Sequence, residues 1–223
     1  MDTGKQWDRI FSGLDEKAGG DDAWLERWRH VLEANRGSPI LDLGCGAGQD
    51  TRFLTNLGFP VVAADFSEEA LEITRRRAPA AKTQNVDLAR GLPFPDTHFG
   101  IIVASLSLHY FPWHRTTTIL DDIRRCLEPG GHLLARFNST RDPYYSAAEN
   151  QEIENNYYLI GGMPKRLFDK QDVDKLFKED WETLAADGRV TRRYGAEKLA
   201  WEVAAKKPTA YRDRRERADR QKC

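Results

Sequence analysis

Three glycines at every second position, Gly44, Gly46 and Gly48, follow the apolar run at Ile40–Leu43 in the stretch ILDLGCGAGQD. The run reads as the end of a strand buried on both faces. The glycines read as a turn from which side chains are excluded, so that a ligand can approach the main chain. Three acids accompany this turn. Asp42 lies inside the strand end, Asp65 ends the next apolar run in VVAADFS, and Asp87 follows the third in QNVDLARGLPF. An acid beside the turn suits a cationic ligand, and a carboxylate at the end of the second strand can accept hydrogen bonds from both hydroxyls of a ribose. A dinucleotide-binding turn would need Gly-x-Gly-x-x-Gly, but Gln49 stands at the third glycine position. A negative Asp42 is also poorly suited to a pyrophosphate, so a nicotinamide-dependent oxidoreductase is disfavoured.

The elements that must position these residues alternate along the chain. Strands are predicted at PILDL, PVVAAD, AKTQNV, GIIVASL and GHLLARF, with helical segments such as SEEALEITRRR and TTTILDDIRRCL between most of them. Alternation of this kind predicts an α/β fold, a mainly parallel doubly wound sheet with helices on both faces. The segments WETLAADGRVTRRYG and KLAWEVAAKK read as two strands joined by a reversal, an antiparallel hairpin at the sheet edge. Ser67 is the predicted cap of the helix that follows Asp65, with Glu68 and Glu69 at its positive end. Ligands in such sheets bind at the carboxyl ends of the strands, where the glycine turn lies.

With 223 residues, 40% hydrophobic and 31% charged, the chain can bury one good-sized core. The formal charge is −1, yet residues 206–223 hold eight basic and three acidic side chains, so the remainder is net acidic. Such a tail reads as a solvated extension, and neither nucleic acid nor a membrane is an expected partner. No apolar run approaches the roughly 20 residues of a membrane span, and the N-terminus lacks a signal-peptide layout, so a cytoplasmic location is expected. Cys45, Cys126 and Cys223 are odd in number and widely spaced, which speaks against a disulfide framework and against a metal site.

The motifs LDLGCGAG, AADFS, NVDLARGLPFPD, VASLSLHYF and CLEPGGHLLARF, in that order, resemble those of the class I S-adenosylmethionine-dependent methyltransferases over residues 7–207. The resemblance implies a Rossmann-like seven-stranded sheet of order 3-2-1-4-5-7-6 and S-adenosyl-L-methionine as cofactor. It implies that residues 1–207 form one domain, with 1–36 as a helical cover, 138–168 as an acceptor-side insertion, and 208–223 as a basic tail. It places the turn with Asp42, Gly44, Cys45, Gly46 and Gly48 under the methionine part of the cofactor, Asp65 on the ribose, and Asp87 on the adenine amine. Leu88 and Phe66 would flank the adenine ring, and Ser105 would belong to the same site. Gly100 is a departure, because HFG stands where the family usually has Phe-Asp before the fourth strand. A second resemblance, through SLHYFPW, FNSTRD and RYGAEKLAWEVAAKK, is to small free-standing bacterial methyltransferases related to tellurite-resistance enzymes.

Methyl transfer from a sulfonium asks for alignment and desolvation and, for a hydroxyl or amine acceptor, for a base. His109, just past the fourth strand, is the candidate base, and Tyr110 can hydrogen-bond it or the acceptor. Arg136 and Asn138 end the fifth strand and are expected to face the pocket, where Arg136 can pair with an acceptor oxyanion or, alternatively, with acids of EIENN. Trp7, Trp24 and Trp28 read as packing residues of the leading segment. The long insertion, with Tyr144, Tyr145, Tyr157 and Tyr158, is expected to select the acceptor. A small-molecule acceptor is the leading reading. A protein or RNA acceptor, and a cofactor-binding protein without turnover, stay open at this point.

Overall fold

The computed structural model of the protein describes residues 3–12, 22–143, 145, 150–192 and 197–209. Tyr144 and the tail beyond residue 209 lie outside these, as does most of the segment linking the first helix to Trp24.

The first five strands are β1 (Ile40–Leu43), β2 (Val61–Asp65), β3 (Lys82–Asn85), β4 (Phe99–Ser105) and β5 (Leu127–Asn138). β1 and β4 are buried at every position, as expected for central strands covered on both faces. β3, polar and mostly exposed, forms the edge. The insertion after β5 folds into a small antiparallel sheet of its own, β6 (Gln151–Glu154), β7 (Tyr157–Ile160) and β8 (Met163–Arg166). The chain then returns to the main sheet through β9 (Glu182–Thr191) and β10 (Lys198–Lys206).

The seven-stranded sheet runs β3-β2-β1-β4-β5-β10-β9. With β6 to β8 set apart, β9 and β10 are its sixth and seventh strands, and the order is the expected 3-2-1-4-5-7-6. β1 to β5 pair in parallel, whereas β10 is antiparallel to both β5 and β9.

Adjacent residues on one strand serve opposite layers. Leu41, Ile102, Leu133 and Val203 pack into the larger apolar cluster, which takes in residues of α5 (Trp113–Cys126) and α6 (Lys170–Leu176). Ile40, Ile101, Leu134 and Ala204 face the other side with Trp24, Leu32 and Leu54. This period-two division makes the sheet doubly wound.

α4 (Glu68–Arg77) starts at Ser67, whose Oγ accepts from Ala70 N at 3.3 Å, and ends on three arginines. Acids at the start and cations at the end complement the helix dipole. Ser67 Oγ also donates to Asp8 Oδ1 at 2.6 Å, tying α1 (Thr3–Ser12) over the loops of the sheet. At Gly100 the space a side chain would take is occupied by Ser38, 2.5 Å from an added Cβ, and Ser38 Oγ donates to Glu128 instead. The unusual glycine is therefore matched by its neighbour.

Candidate functional site

A cavity of about 560 Å³ opens at the carboxyl ends of the parallel strands. Its floor is the turn after β1. Gly44 and Gly46 line it with φ of 73° and 54°, a left-handed conformation that side chains resist. A Cβ on Gly44 would lie 2.3 Å from that of Ser107, so the turn packs directly against the segment after β4. Trp7, Ile10 and Phe11 of α1 roof the same space.

At the end of β2, Asp65 Oδ2 accepts from Gly46 N at 2.8 Å and Oδ1 accepts from Ser67 N at 3.0 Å. Burial pushes this carboxyl upward in pKa, and the Ser67 and Gly46 amides oppose that push. Each oxygen keeps acceptor capacity, and the residue lines the cavity, so both ribose hydroxyls of a cofactor can be held there. Phe66, more than a third exposed, stands at the cavity wall with Asp87 and Leu88. Asp87 is fixed by Ala89 N at 2.8 Å and by Arg90. These are the groups an adenine requires: an acceptor for its amine and apolar surface for its ring.

The other end of the cavity is built from the segments after β4 and β5 and from the inserted sheet. Ser105, His109, Tyr110 and Asn138 line it, together with Tyr145, Lys165 and Lys198. His109 is 3% exposed, and neither its Nδ1 nor Asn138 Nδ2 has a hydrogen-bond partner among the described residues. Burial, and then the charges of Lys165 and Lys198, hold the imidazole well below its ordinary pKa. It is therefore neutral at physiological pH and able to accept a proton. Tyr110 packs edge-on against Trp7 with ring centroids 4.9 Å apart, and its carbonyl accepts from Tyr157 Oη at 3.0 Å. Helix α1 and the inserted sheet thus meet on the turn that carries His109. Leu106, at φ 56° on the same wall, is a strained non-glycine residue that sequence reading does not reveal.

Four predicted residues stand away from the wall. Arg136 is 2% exposed and is engaged by Asp22, by Ser105 Oγ at 2.9 Å and by Thr191 Oγ1 at 3.2 Å, with Trp24 4.7 Å from the guanidinium carbon. The expectation that it meets the acceptor, or the acids of EIENN, gives way to a structural role. Arg136 and Asn138 share a face of β5; Asn138, at the carboxyl end of the strand, reaches the cavity, whereas Arg136, two residues further back, is held by groups of the leading segment and the edge hairpin. Asp42 accepts from Thr51 Oγ1 at 2.6 Å, which secures the first turn of α3 (Gln49–Asn56) behind the glycine turn. Cys45 is buried among Ala63 and Leu71, with its thiol pKa well raised by burial and by Asp65 and Asp42, so it is a packing residue. Gly48 caps α3 at φ 75°, against Thr74.

Among the described residues no helix is long and apolar enough to cross a membrane. No group of three or more His, Cys, Asp or Glu among them could hold a metal ion.

Residues 40–131 match the protein family described as "Methyltransferase domain". A demethylmenaquinone methyltransferase of Clavibacter sepedonicus is 34% identical over 137 residues, covering 57% of this chain and 54% of that protein. The chain spans about half the length of most of the curated relatives it matches. In solved structures, a SAM-dependent methyltransferase of Methanosarcina mazei superposes with a TM-score of 0.70 at 19% identity, over 80% of this chain and 97% of that one. A 1,6-didemethyltoxoflavin-N1-methyltransferase of Burkholderia thailandensis, solved with S-adenosylhomocysteine, gives 0.62 at 19% identity over 84% and 80%. At that identity the structures establish the fold. Glycine turn, strand order and sequence match together make this chain a member of the class I methyltransferases, the family whose cofactor is S-adenosyl-L-methionine.

Proposed function

We propose that the protein transfers a methyl group from S-adenosylmethionine to a small-molecule acceptor by in-line displacement. The observation that carries this reading is one continuous cavity, with Asp65, Phe66 and Asp87 at one end and His109 and Asn138 at the other, roofed by α1. A space of about 560 Å³ lies within the usual range for small-ligand sites. Two relatives whose names state small acceptors, demethylmenaquinone and 1,6-didemethyltoxoflavin, support it.

Bound S-adenosylmethionine supplies a methyl group already activated by its sulfonium charge. The chain's residues supply the rest. Asp65 holds the ribose, and the Gly44 and Gly46 backbone admits the methionine part without side-chain obstruction. Trp7 and Phe11 exclude water above it. His109, buried and neutral, takes the proton of a hydroxyl or amine acceptor through a ring nitrogen. Tyr110 adjoins that ring, with centroids 4.1 Å apart.

Calorimetry with S-adenosylmethionine, S-adenosylhomocysteine and NAD tests the cofactor assignment. Binding of the first two and not the third is expected, and the reverse pattern overturns it. Turnover on a panel of small acceptors then tests the enzyme, since cofactor binding with no turnover on any acceptor class would mark a binding protein.

A further inference from the structure

The acceptor end of the cavity is positively charged. Lys165 comes from β8 of the insertion, and Lys198 starts β10 of the main sheet. The topology brings them to one aromatic residue: each Nζ lies 5.2 Å from the centre of the Tyr145 ring, and Lys198 Nζ donates to Tyr145 Oη at 3.1 Å. Both are partly buried, and both line the cavity beside His109 and Asn138. Burial pushes both ammonium groups down in pKa, and Lys198 adds to the effect on Lys165. Asp142 is a carboxylate that acts on Lys198. The Nδ2 donor of Asn138, a residue 2% exposed, has no partner among the described residues and lies on the same wall. Two ammonium groups and an amide donor on one wall are the hydrogen-bond donors that a carboxylate or phosphate takes.

We propose that Lys165 and Lys198, set around Tyr145 and next to Asn138, select an acceptor that is a small organic anion, its carboxylate or phosphate held by the two ammonium groups while its reacting atom faces His109. This rests on the methyltransferase reading and adds to it the charge of the acceptor. The partners come from different elements: the lysines from the insertion and the edge hairpin, Asn138 from the end of β5. The insertion therefore sets specificity by charge as well as by aromatic surface.

The test uses the full chain saturated with S-adenosylhomocysteine and titrated with benzoate, phenyl phosphate and the neutral isostere benzamide, followed by calorimetry. Benzoate or phenyl phosphate should bind at least tenfold more tightly than benzamide. Lys165→Met and Lys198→Met should each weaken the anion at least tenfold while leaving S-adenosylhomocysteine affinity unchanged. If Lys198→Met lowers Tm through loss of the Tyr145 contact, Lys165→Met alone decides. Equal affinity for benzamide, no saturable anion binding, or anion binding that survives Lys165→Met overturns the proposal. Failure of S-adenosylhomocysteine itself to bind would instead overturn the methyltransferase reading, so the two failures are distinct.

Discussion

The backbone amide of Gly46 donates to Asp65 Oδ2 at 2.8 Å, which ties the glycine turn after β1 to the end of β2. The carboxylate orients the turn through one set of lone pairs and leaves others facing the cavity, where the proposed function puts the ribose. Asp65→Ala should weaken S-adenosylmethionine binding by about 2–3 kcal/mol, the scale of charge-assisted hydrogen bonds. Asp65→Asn keeps the shape and removes the charge, so it should lose part of that amount. Calorimetric affinities that match the wild type in both variants would remove Asp65 from the cofactor site.

Arg136 yields a prediction of opposite character. Its guanidinium joins Ser105, Asp22 and Thr191 across three segments of chain, away from the cavity. Arg136→Met should lower stability by about 3 kcal/mol, since it leaves Asp22 without this cation in a mostly buried setting. Cofactor affinity of the folded fraction should remain close to wild type. Denaturant unfolding alongside calorimetry separates the two, and a variant of normal stability that no longer turns over would return Arg136 to the acceptor.

How far the sequence discloses these roles depends on the range of the interaction. β1 to β5 were readable because a buried run, a turn and a helix repeat locally, and the two acids that line the cavity, Asp65 and Asp87, stand at or just after strand ends. Arg136 was not readable, because its partner Asp22 is 114 residues away and no spacing links them. The sheet β6 to β8 was readable in principle. Asn155-Asn156 and Gly161-Gly162 are two-residue reversals on either side of the apolar run Tyr157–Ile160, with positive φ at Asn156 and at both glycines. Lys165 and Lys198 carry no local signal at all; only the pairing of β10 with β5 and the docking of the insertion bring them together.

Gly44 and Gly46 should differ in what they tolerate. An alanine at 44 meets the side chain of Ser107 at 2.3 Å, and Ser107 Oγ is committed to the Leu43 carbonyl at 2.7 Å. An alanine at 46 meets only the rim of the Phe11 ring, at 3.4 Å. Both share the left-handed backbone, with a strain cost of roughly 1–2 kcal/mol. Gly44→Ala should therefore lose about 1–2 kcal/mol more stability than Gly46→Ala, because a well-packed site must also shift. Thermal melting of the two variants checks this, and a larger loss at Gly46 would show that α1 is held more rigidly than the segment after β4.

As the proposed base, His109 would link acceptor chemistry to pH. Its folded pKa lies well below the ordinary value, first through burial and then through Lys165 and Lys198. The unfolded chain takes up the proton at higher pH than the folded one, so the stability associated with neutral His109 is present above about pH 6.5 and is lost as pH falls toward the folded pKa. Turnover should hold down to that same lowered pKa and fall below it, where the base is protonated. His109→Ala should reduce kcat by roughly 10²-fold or more while S-adenosylmethionine affinity changes little, as for a general base that touches only the acceptor. Lys165→Met removes one of the charges opposing protonation, so the acid limb of the kcat profile should move to higher pH. A profile that does not move, with His109→Ala retaining nearly full turnover, would mean that the acceptor arrives already deprotonated and that alignment in the cavity suffices.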